Sequence, residues 1–298
     1  MPRGSAILTV FALALIAAPG AVADTSLGTE NGITCMTNST PIPPNQPAAP
    51  SVSCPGGTRL IGAGGDAATV TAEGILASLR PTDGADGDTK PDDGLVSYAH
   101  NTTGTGRQSV AYAMCAAGRM RYPARHTGTP SGKQRTLRVP CPSGTKVVSG
   151  GFYLSGANSD IHLNAFIPYD GGDAGSKPED GWRTSATNVG AARMQFTAWA
   201  FCRNAAKVLY PDLGSFGGTG AGSAGGVGGA CTNPDVSVGG LGGRVKGSPG
   251  ARRITGLVPD DNTIEAGTVP DDVAVADDQN NSATQAKVGA FPVCLDLG

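Results

Sequence analysis

Cys141-Pro142-Ser143-Gly144-Thr145 opens a stretch of chain that closes with Ala198-Trp199-Ala200-Phe201-Cys202. The same grammar stands earlier, from Cys54-Pro55-Gly56-Gly57-Thr58 to Ala111-Tyr112-Ala113-Met114-Cys115. The two copies align without a gap. Pro91-Asp92-Asp93-Gly94 falls on Pro178-Glu179-Asp180-Gly181, and Asn101 falls on Asn188. A more diverged third copy runs from Cys231 to Cys294 and keeps Pro270-Asp271-Asp272, Asn280 and Phe291. Self-similarity at a fixed period marks a chain built from repeated supersecondary units that bury their apolar faces against one another.

Six of the seven cysteines fall at the ends of these units, and Cys35 stands outside the frame. The N-terminus carries Arg3, an apolar run from Ile7 to Ala18 that is too short to span a membrane, and the small-residue site Ala21-Val22-Ala23. This pattern predicts a signal peptide over 1–23 and an exported, extracellular protein without membrane insertion. Exported chains live in an oxidising setting where cysteines pair. The simplest pairing is within units, Cys54 with Cys115, Cys141 with Cys202 and Cys231 with Cys294. Pairing between neighbouring units is the alternative, since six cysteines allow about fifteen connectivities. Each intra-unit bridge would close a loop of about sixty residues and contribute about 4 kcal/mol in the chain-entropy picture.

Of the 298 residues 46 are glycine, only 15% are charged and 5% aromatic, a balance that favours short strands and tight turns over helices. The net charge of −2 gives no overall basic field to draw nucleic acid. The segment from Arg119 to Arg138 is locally basic but lacks interleaved aromatics, so it reads as a solvated connector in preference to a phosphate site.

Organisation follows from the repeat. Beyond the signal, 24–50 reads as an arm ending in a proline-rich linker. Repeats are expected at 51–118, 137–205 and 230–298. They are joined by the connector 119–136 and by the glycine-rich 206–229, which is flexible unless a sheet pins it. Each repeat holds about four strands. In the second, Ile161, Leu163, Ala165 and Ile167 alternate with period two. Gly150-Gly151 interrupts a strand, as at a bulge or close backbone approach. Trp182–Thr187 and Met194–Cys202 read as a hairpin around an asparagine-containing turn. The fold class is all-β, with three four-stranded units either as separate small sandwich beads or as a threefold β-prism with a shared core. A unit of about sixty residues is marginal alone. The apolar column Leu95, Trp182, Val273 also recurs, and both points favour the prism.

The Cys-Pro-x-Gly openings at Cys54 and Cys141, the following Gly-Gly pairs and the closing cysteine strands resemble the vitelline membrane outer layer protein family. That resemblance implies a β-prism of three Greek-key sheets, an architecture shared by jacalin-type lectins. The chain departs from the family pattern in its longer units and in its third opening, Cys231-Thr232-Asn233-Pro234. The same grammar is similar to secreted proteins of actinobacteria-like origin, a likeness that implies no activity.

The chemistry is sparse. His100, His126 and His162 have no recurring partner, and no nucleophile-elbow or zinc-ligand spacing is present. No enzyme activity is therefore expected, and a secreted hydrolase is the remote alternative. Acidic residues crowd three loops: Asp83, Asp86, Asp88, Asp92 and Asp93; Asp170, Asp173, Glu179 and Asp180; and Asp260, Asp261, Asp271, Asp272, Asp277 and Asp278. Calcium would suit such oxygen donors, but aspartate and glycine are also ordinary turn chemistry, so no cofactor is assigned. Asp93, Asp180 and Asp272 recur at one spacing from Asn101, Asn188 and Asn280. These six form the candidate ligand site, with carbohydrate or a cell-surface polymer as partner. Turn geometry, with the asparagines accepting positive φ, is the competing account. Tyr112, Trp199 and Phe291 read as core. The expected function is a secreted, lectin-like binding protein, with a structural envelope or matrix component as the alternative.

Overall fold

The computed structural model describes residues 23–67, 74–84, 88–155, 160–172, 176–204, 207–211, 216–231, 236–247, 250–260 and 273–297. The signal-peptide residues 1–22 lie outside this set, as do Asp86, Asp173, Asp261, Asp271 and Asp272. Among the described residues there is no helix.

Among the described residues twenty-four strands follow one another. Before the first paired cysteine come β1 (Thr25–Glu30), β2 (Ile33–Ile42), β3 (Pro47–Ala48) and β4 (Ser51–Ser53). Next are β5 (Arg59–Asp66), β6 (Gly74–Thr82), β7 (Gly94–Asn101), β8 (Arg107–Ala116), β9 (Met120–Arg121), β10 (Ala124–Thr129) and β11 (Gln134–Pro140). The middle of the chain forms β12 (Lys146–Leu154), β13 (Ile161–Tyr169), β14 (Gly181–Asn188), β15 (Met194–Arg203), β16 (Lys207–Leu209), β17 (Phe216–Thr219) and β18 (Ala224–Ala230). The last third forms β19 (Ser237–Gly240), β20 (Gly243–Lys246), β21 (Arg252–Asp260), β22 (Val273–Asn280), β23 (Ala286–Ala290) and β24 (Val293–Asp296).

Among the described residues four sheets result, and their named pairings are antiparallel. One runs β1-β2-β8-β5-β21-β22-β18; the second runs β10-β15-β12-β6-β7-β3, with β4 on β7 and β9 on β15. The third runs β11-β14-β13-β20-β23-β17, and a small fourth runs β16-β24-β19. Each large sheet joins two of the cysteine-bracketed segments across a short seam. Gly65 and Asp66 pair with Leu257 and Gly256, Ser78 and Leu79 with Tyr153 and Phe152, and Ala165 and Phe166 with Arg244 and Gly243. Separate beads would not share sheets in this way. One contiguous core draws Leu60, Leu79, Leu95, Phe152, Phe166, Trp182, Phe196, Val238, Leu257 and Leu295 from all three segments. Val273 is buried, at 7% exposure, outside that cluster.

The Cys-Pro-x-Gly-Thr opening makes a tight turn. Thr58 donates from its backbone N and Oγ1 to Pro55 O at 3.0 and 2.6 Å, and Thr145 does the same to Pro142 O at 3.1 and 2.6 Å. Gly57 and Gly144 sit at φ 83° and 78°, where a side chain is strained. Disulfides join Cys54 to Cys115, Cys141 to Cys202 and Cys231 to Cys294, the intra-unit pairing. Cys35 is buried in β2 and belongs to none of them.

Several sequence expectations are corrected. The 24–50 arm is not a loose extension: β2 pairs along its length with β8 and carries β1 on its other edge. The 119–136 connector is drawn into β10 and β11, which border two different sheets on β15 and β14. In the glycine-rich 206–229 segment the stated condition for order is met at its described strands, with β17 on β23 and β18 on β22. The residues 182–187 and 194–202 do not form a hairpin with each other. β14 pairs with β11 and β13, while β15 pairs with β10 and β12, so the asparagine turn carries the chain between sheets.

The alternation in β13 breaks at a bulge between Leu163 and Ala165. Ile161 and Leu163 stay in the core, and beyond the bulge Phe166 takes the core position. Ala165 and Ile167 take the opposite face of the sheet while staying buried, because one extra residue in a strand reverses the faces of everything after it.

Candidate anion-binding groove

The outer face of the β11-β14-β13-β20 array bears a broad cleft. Register sets its composition. Arg138 on β11 stands opposite Arg183 on β14, and Arg183 stands opposite Ile167 on β13. On an adjacent rung Thr136 faces Ser185, Ser185 faces Ala165, and Ala165 faces Arg244 on β20. Strands lie about 4.8 Å apart, so Arg138 and Arg183 are immediate neighbours and Arg244 is roughly 10 Å from β14. Arg125 reaches the same cleft from β10 and Lys246 from the end of β20, around a volume of about 740 Å³ whose lining among the described residues holds no Asp or Glu.

Like charges directly opposite on a sheet are unfavourable. Burial, and then the charges of Arg244 and Arg138, push the Arg183 guanidinium below its usual range. Its Nε is buried with no hydrogen-bond partner among the described residues. Thr136 Oγ1 and Ser185 Oγ lie 2.7 Å apart on the cleft floor and supply hydroxyls between the guanidiniums. Lys246 Nζ lies 3.9 Å from the Phe216 ring centroid at the far end.

Arg125 and Arg138 also line an adjoining hollow with Tyr169, Asp170 and Asp180. Arg138, Arg183 and Arg244 line a third with Tyr169, Lys177 and Tyr210. The half-buried Tyr169 has its phenol raised by burial, with Arg125 and Arg138 acting against the shift and Asp180 adding to it.

The candidate site residues fall differently. Asp93 precedes β7 and Asn101 ends it; Asp180 precedes β14 and Asn188 ends it. An eight-residue strand spans roughly 26 Å. The structure therefore does not bring Asp93 together with Asn101, or Asp180 with Asn188, and their constant spacing is a strand length. Asp272, the partner expected for Asn280, lies outside the described residues.

All three asparagines are buried and hydrogen-bonded to the chain itself. Asn101 Oδ1 accepts from Thr103 N at 2.9 Å, and Nδ2 donates to Thr105 O at 2.7 Å and Pro43 O at 3.1 Å. Asn188 Oδ1 accepts from Gly190 N at 2.9 Å, with Nδ2 donating to Ala192 O at 2.7 Å and Thr129 O at 3.0 Å. Asn280 Oδ1 accepts from Ser282 N at 3.0 Å, with Nδ2 donating to Thr284 O at 2.9 Å and Thr219 O at 3.1 Å. They do hold turns, by side-chain hydrogen bonds and not through positive φ, which among non-glycine described residues belongs to Asn31 and Asn45.

Asp93 Oδ2 accepts from Gly84 N at 2.8 Å and Asp180 Oδ2 from Gly171 N at 2.6 Å, so these carboxylates fasten their loops. Of the six residues, Asp180 reaches the groove system, in the hollow beside Tyr169. Among the described residues no three His, Cys, Asp or Glu side chains gather as a metal site. Of the aromatics read as core, Phe291 is buried, Trp199 is half-buried and packed against the core cluster, and Tyr112 is half-buried.

Arg183 and Arg244 had no signal of their own in the sequence, because only strand register places them beside Arg138. The basic run from Arg119 to Arg138 did carry a signal, and two of its arginines line the groove. No protein-family model matches the chain, and no curated protein matches it.

Proposed function

We propose that this chain is an exported, non-enzymatic binding protein, built as a threefold β-prism of three related units, that engages carbohydrate or another cell-surface polymer. The prism reading is supported by the cyclic sharing of strands. Residues 51–118 give β5 and β8 to the first sheet and β6 and β7 to the second. Residues 137–205 give β12 and β15 to the second and β13 and β14 to the third, and residues 230–298 give β20 and β23 to the third and β21 and β22 to the first. The three disulfides fit an oxidising, extracellular setting. Among the described residues no helix is long and apolar enough to cross a membrane.

The observation that carries the binding reading is the hollow holding Tyr169 beside Asp180, Arg125 and Arg138. An aromatic face flanked by a carboxylate and guanidiniums combines an apolar platform with directional donors and acceptors, the mixture a polar ligand of many hydroxyls requires. Neither His100 nor His162 lines it. The test is binding of the wild-type protein to a glycan array and to whole cells, beside a Tyr169→Ala variant of unchanged circular dichroism. The expected result is binding that falls at least tenfold in the variant. An array and cells left unbound by the wild type would overturn the reading.

A further inference from the structure

We infer that the groove over β11, β14, β13 and β20 selects an acidic polysaccharide, with Arg138, Arg183 and Arg244 each receiving an anionic group of the chain while Thr136 and Ser185 meet its hydroxyls. The inference rests on the carbohydrate-binding reading and names the class of ligand.

Three features support it. First, the three arginines share one sheet face and line the central cleft, yet no acidic residue joins them in that lining and no ion pair involves them among the described residues. The Arg138–Arg183 cross-strand pair is unfavourable alone and becomes favourable with an anion between them. Second, the space is too long and open for one small anion. Arg138 is common to the cleft and both hollows beside it, so a bound chain can run from Lys246 past Arg244 and Arg183 to Tyr169. Third, the floor between the charges carries hydroxyls and the Gln134 amide, not a row of aromatic faces.

Nucleic acid fits less well. Single strands want successive stacking platforms and a continuous cationic track. The groove system instead presents Tyr169 at one end, and the cleft lining between Arg138, Arg183 and Arg244 carries no aromatic side chain among the described residues on which successive bases could stack.

The test uses the full chain and four probes in surface-based binding: heparin, polygalacturonate, neutral dextran and oligo-dT. The variants are Arg138→Gln/Arg183→Gln/Arg244→Gln and, for charge removed outside the groove, Arg119→Gln/Arg121→Gln, each checked by circular dichroism and thermal unfolding. The expected result is binding of heparin or polygalacturonate at least tenfold tighter than dextran. The groove variant should weaken it tenfold or more and flatten its salt dependence, while the control variant changes it less than threefold. Heparin carries both sulfates and carboxylates and polygalacturonate carboxylates alone, so binding of heparin without polygalacturonate points to sulfate recognition and binding of both to carboxylate recognition, and either result supports the inference. Should the groove variant misfold, Arg183→Gln alone must weaken acidic-glycan binding at least threefold for the inference to stand. Dextran bound as tightly as the acidic chains, or acidic-chain binding untouched by the folded groove variant, would overturn the anionic selection and leave the carbohydrate reading standing. No glycan bound at all would overturn both. Oligo-dT bound more tightly than any glycan would assign the groove to nucleic acid instead.

Discussion

Trp182 occupies the space that a side chain at Gly150 would need: a β-carbon built there would overlap the indole. The indole is fully buried, and its ring stands edge-on to Phe166 at 4.9 Å, which stands edge-on to Phe152 at 5.5 Å. Trp182→Ala should therefore lower stability by about 3–5 kcal/mol, the usual cost of emptying a large core site. Gly150→Ala should cost about 1–3 kcal/mol by overpacking. Trp182→Phe should cost less than Trp182→Ala, because phenylalanine refills most of the cavity and Trp182 Nε1 has no hydrogen-bond partner among the described residues to lose. Urea unfolding should show one transition for all four proteins. An isolated 136–205 fragment should fail to fold, since β12 would lose β6 and β13 would lose β20. A fragment as stable as the whole chain would contradict the shared core.

Asn188→Ala should cost about 2–3 kcal/mol, because it leaves carbonyls and an amide of a buried turn without their partner. The substitution should leave glycan binding unchanged at temperatures where the protein stays folded. Thermal unfolding beside the array measurement checks both halves, and a stable Asn188→Ala protein that no longer binds would place Asn188 in a ligand site after all.

Cys35 should be inert in the native protein. It lies in β2 between β1 and β8 with 1% of its surface exposed. Iodoacetamide should label no thiol in the native chain and one in guanidinium. Rapid labelling of the folded protein would show that β2 opens.

The pH dependence has a source in His162. Burial first, and then the Arg253 guanidinium, lower this imidazole from its ordinary 6.5 to about 4. The neutral ring pairs with Arg253, Nη1 lying 3.3 Å from Nε2. A lowered pKa means that the unfolded chain binds the proton first as pH falls. The contribution is complete above pH 6.5 and is lost on descending toward pH 4. At about 1.4 kcal/mol per unit, the loss is on the order of 2–3 kcal/mol. Asp277 and Asp278, both raised by burial, act in the opposite sense and favour the fold as they protonate. His162→Gln isolates the imidazole. Between pH 7 and pH 4.5 the wild type should lose more stability than the variant, and parallel curves would refute the assignment.

Much of the fold was legible because turns and core have strong local signatures. The Cys-Pro-x-Gly-Thr opening specifies a turn through its positive-φ glycine and its threonine hydroxyl, and the cysteines at unit ends pair as their positions suggested. Strand partners were not legible. The same apolar run serves a hairpin or a strand that crosses to the next sheet, and Asn188 decides between them through bonds to Thr129 and Ala192. The bulge in β13 was equally hidden, since nothing in Leu163-Asn164-Ala165 announces an extra residue. The groove is hidden in the sequence for a related reason. A constant Asp-to-Asn interval looked like one constellation and is the two ends of a strand, whereas Arg138, Arg183 and Arg244 meet only after three strands have been aligned.

The seam between β5 and β21 has a consequence for biogenesis. β21 and β22 stand between β5 and β18 in the first large sheet, although β5 comes from residues 59–66 and β21 from residues 252–260. A chain leaving a ribosome or an export channel N-terminus first must hold β5 with an open flank until nearly all of the polypeptide has emerged. Such long sequence separation makes folding slow and exposes unpaired backbone meanwhile. Oxidation of Cys54 with Cys115 needs none of the later chain. That crosslink can latch β5 and β8 into register early and guard the exposed flank against strands of neighbouring molecules until the distant partner arrives.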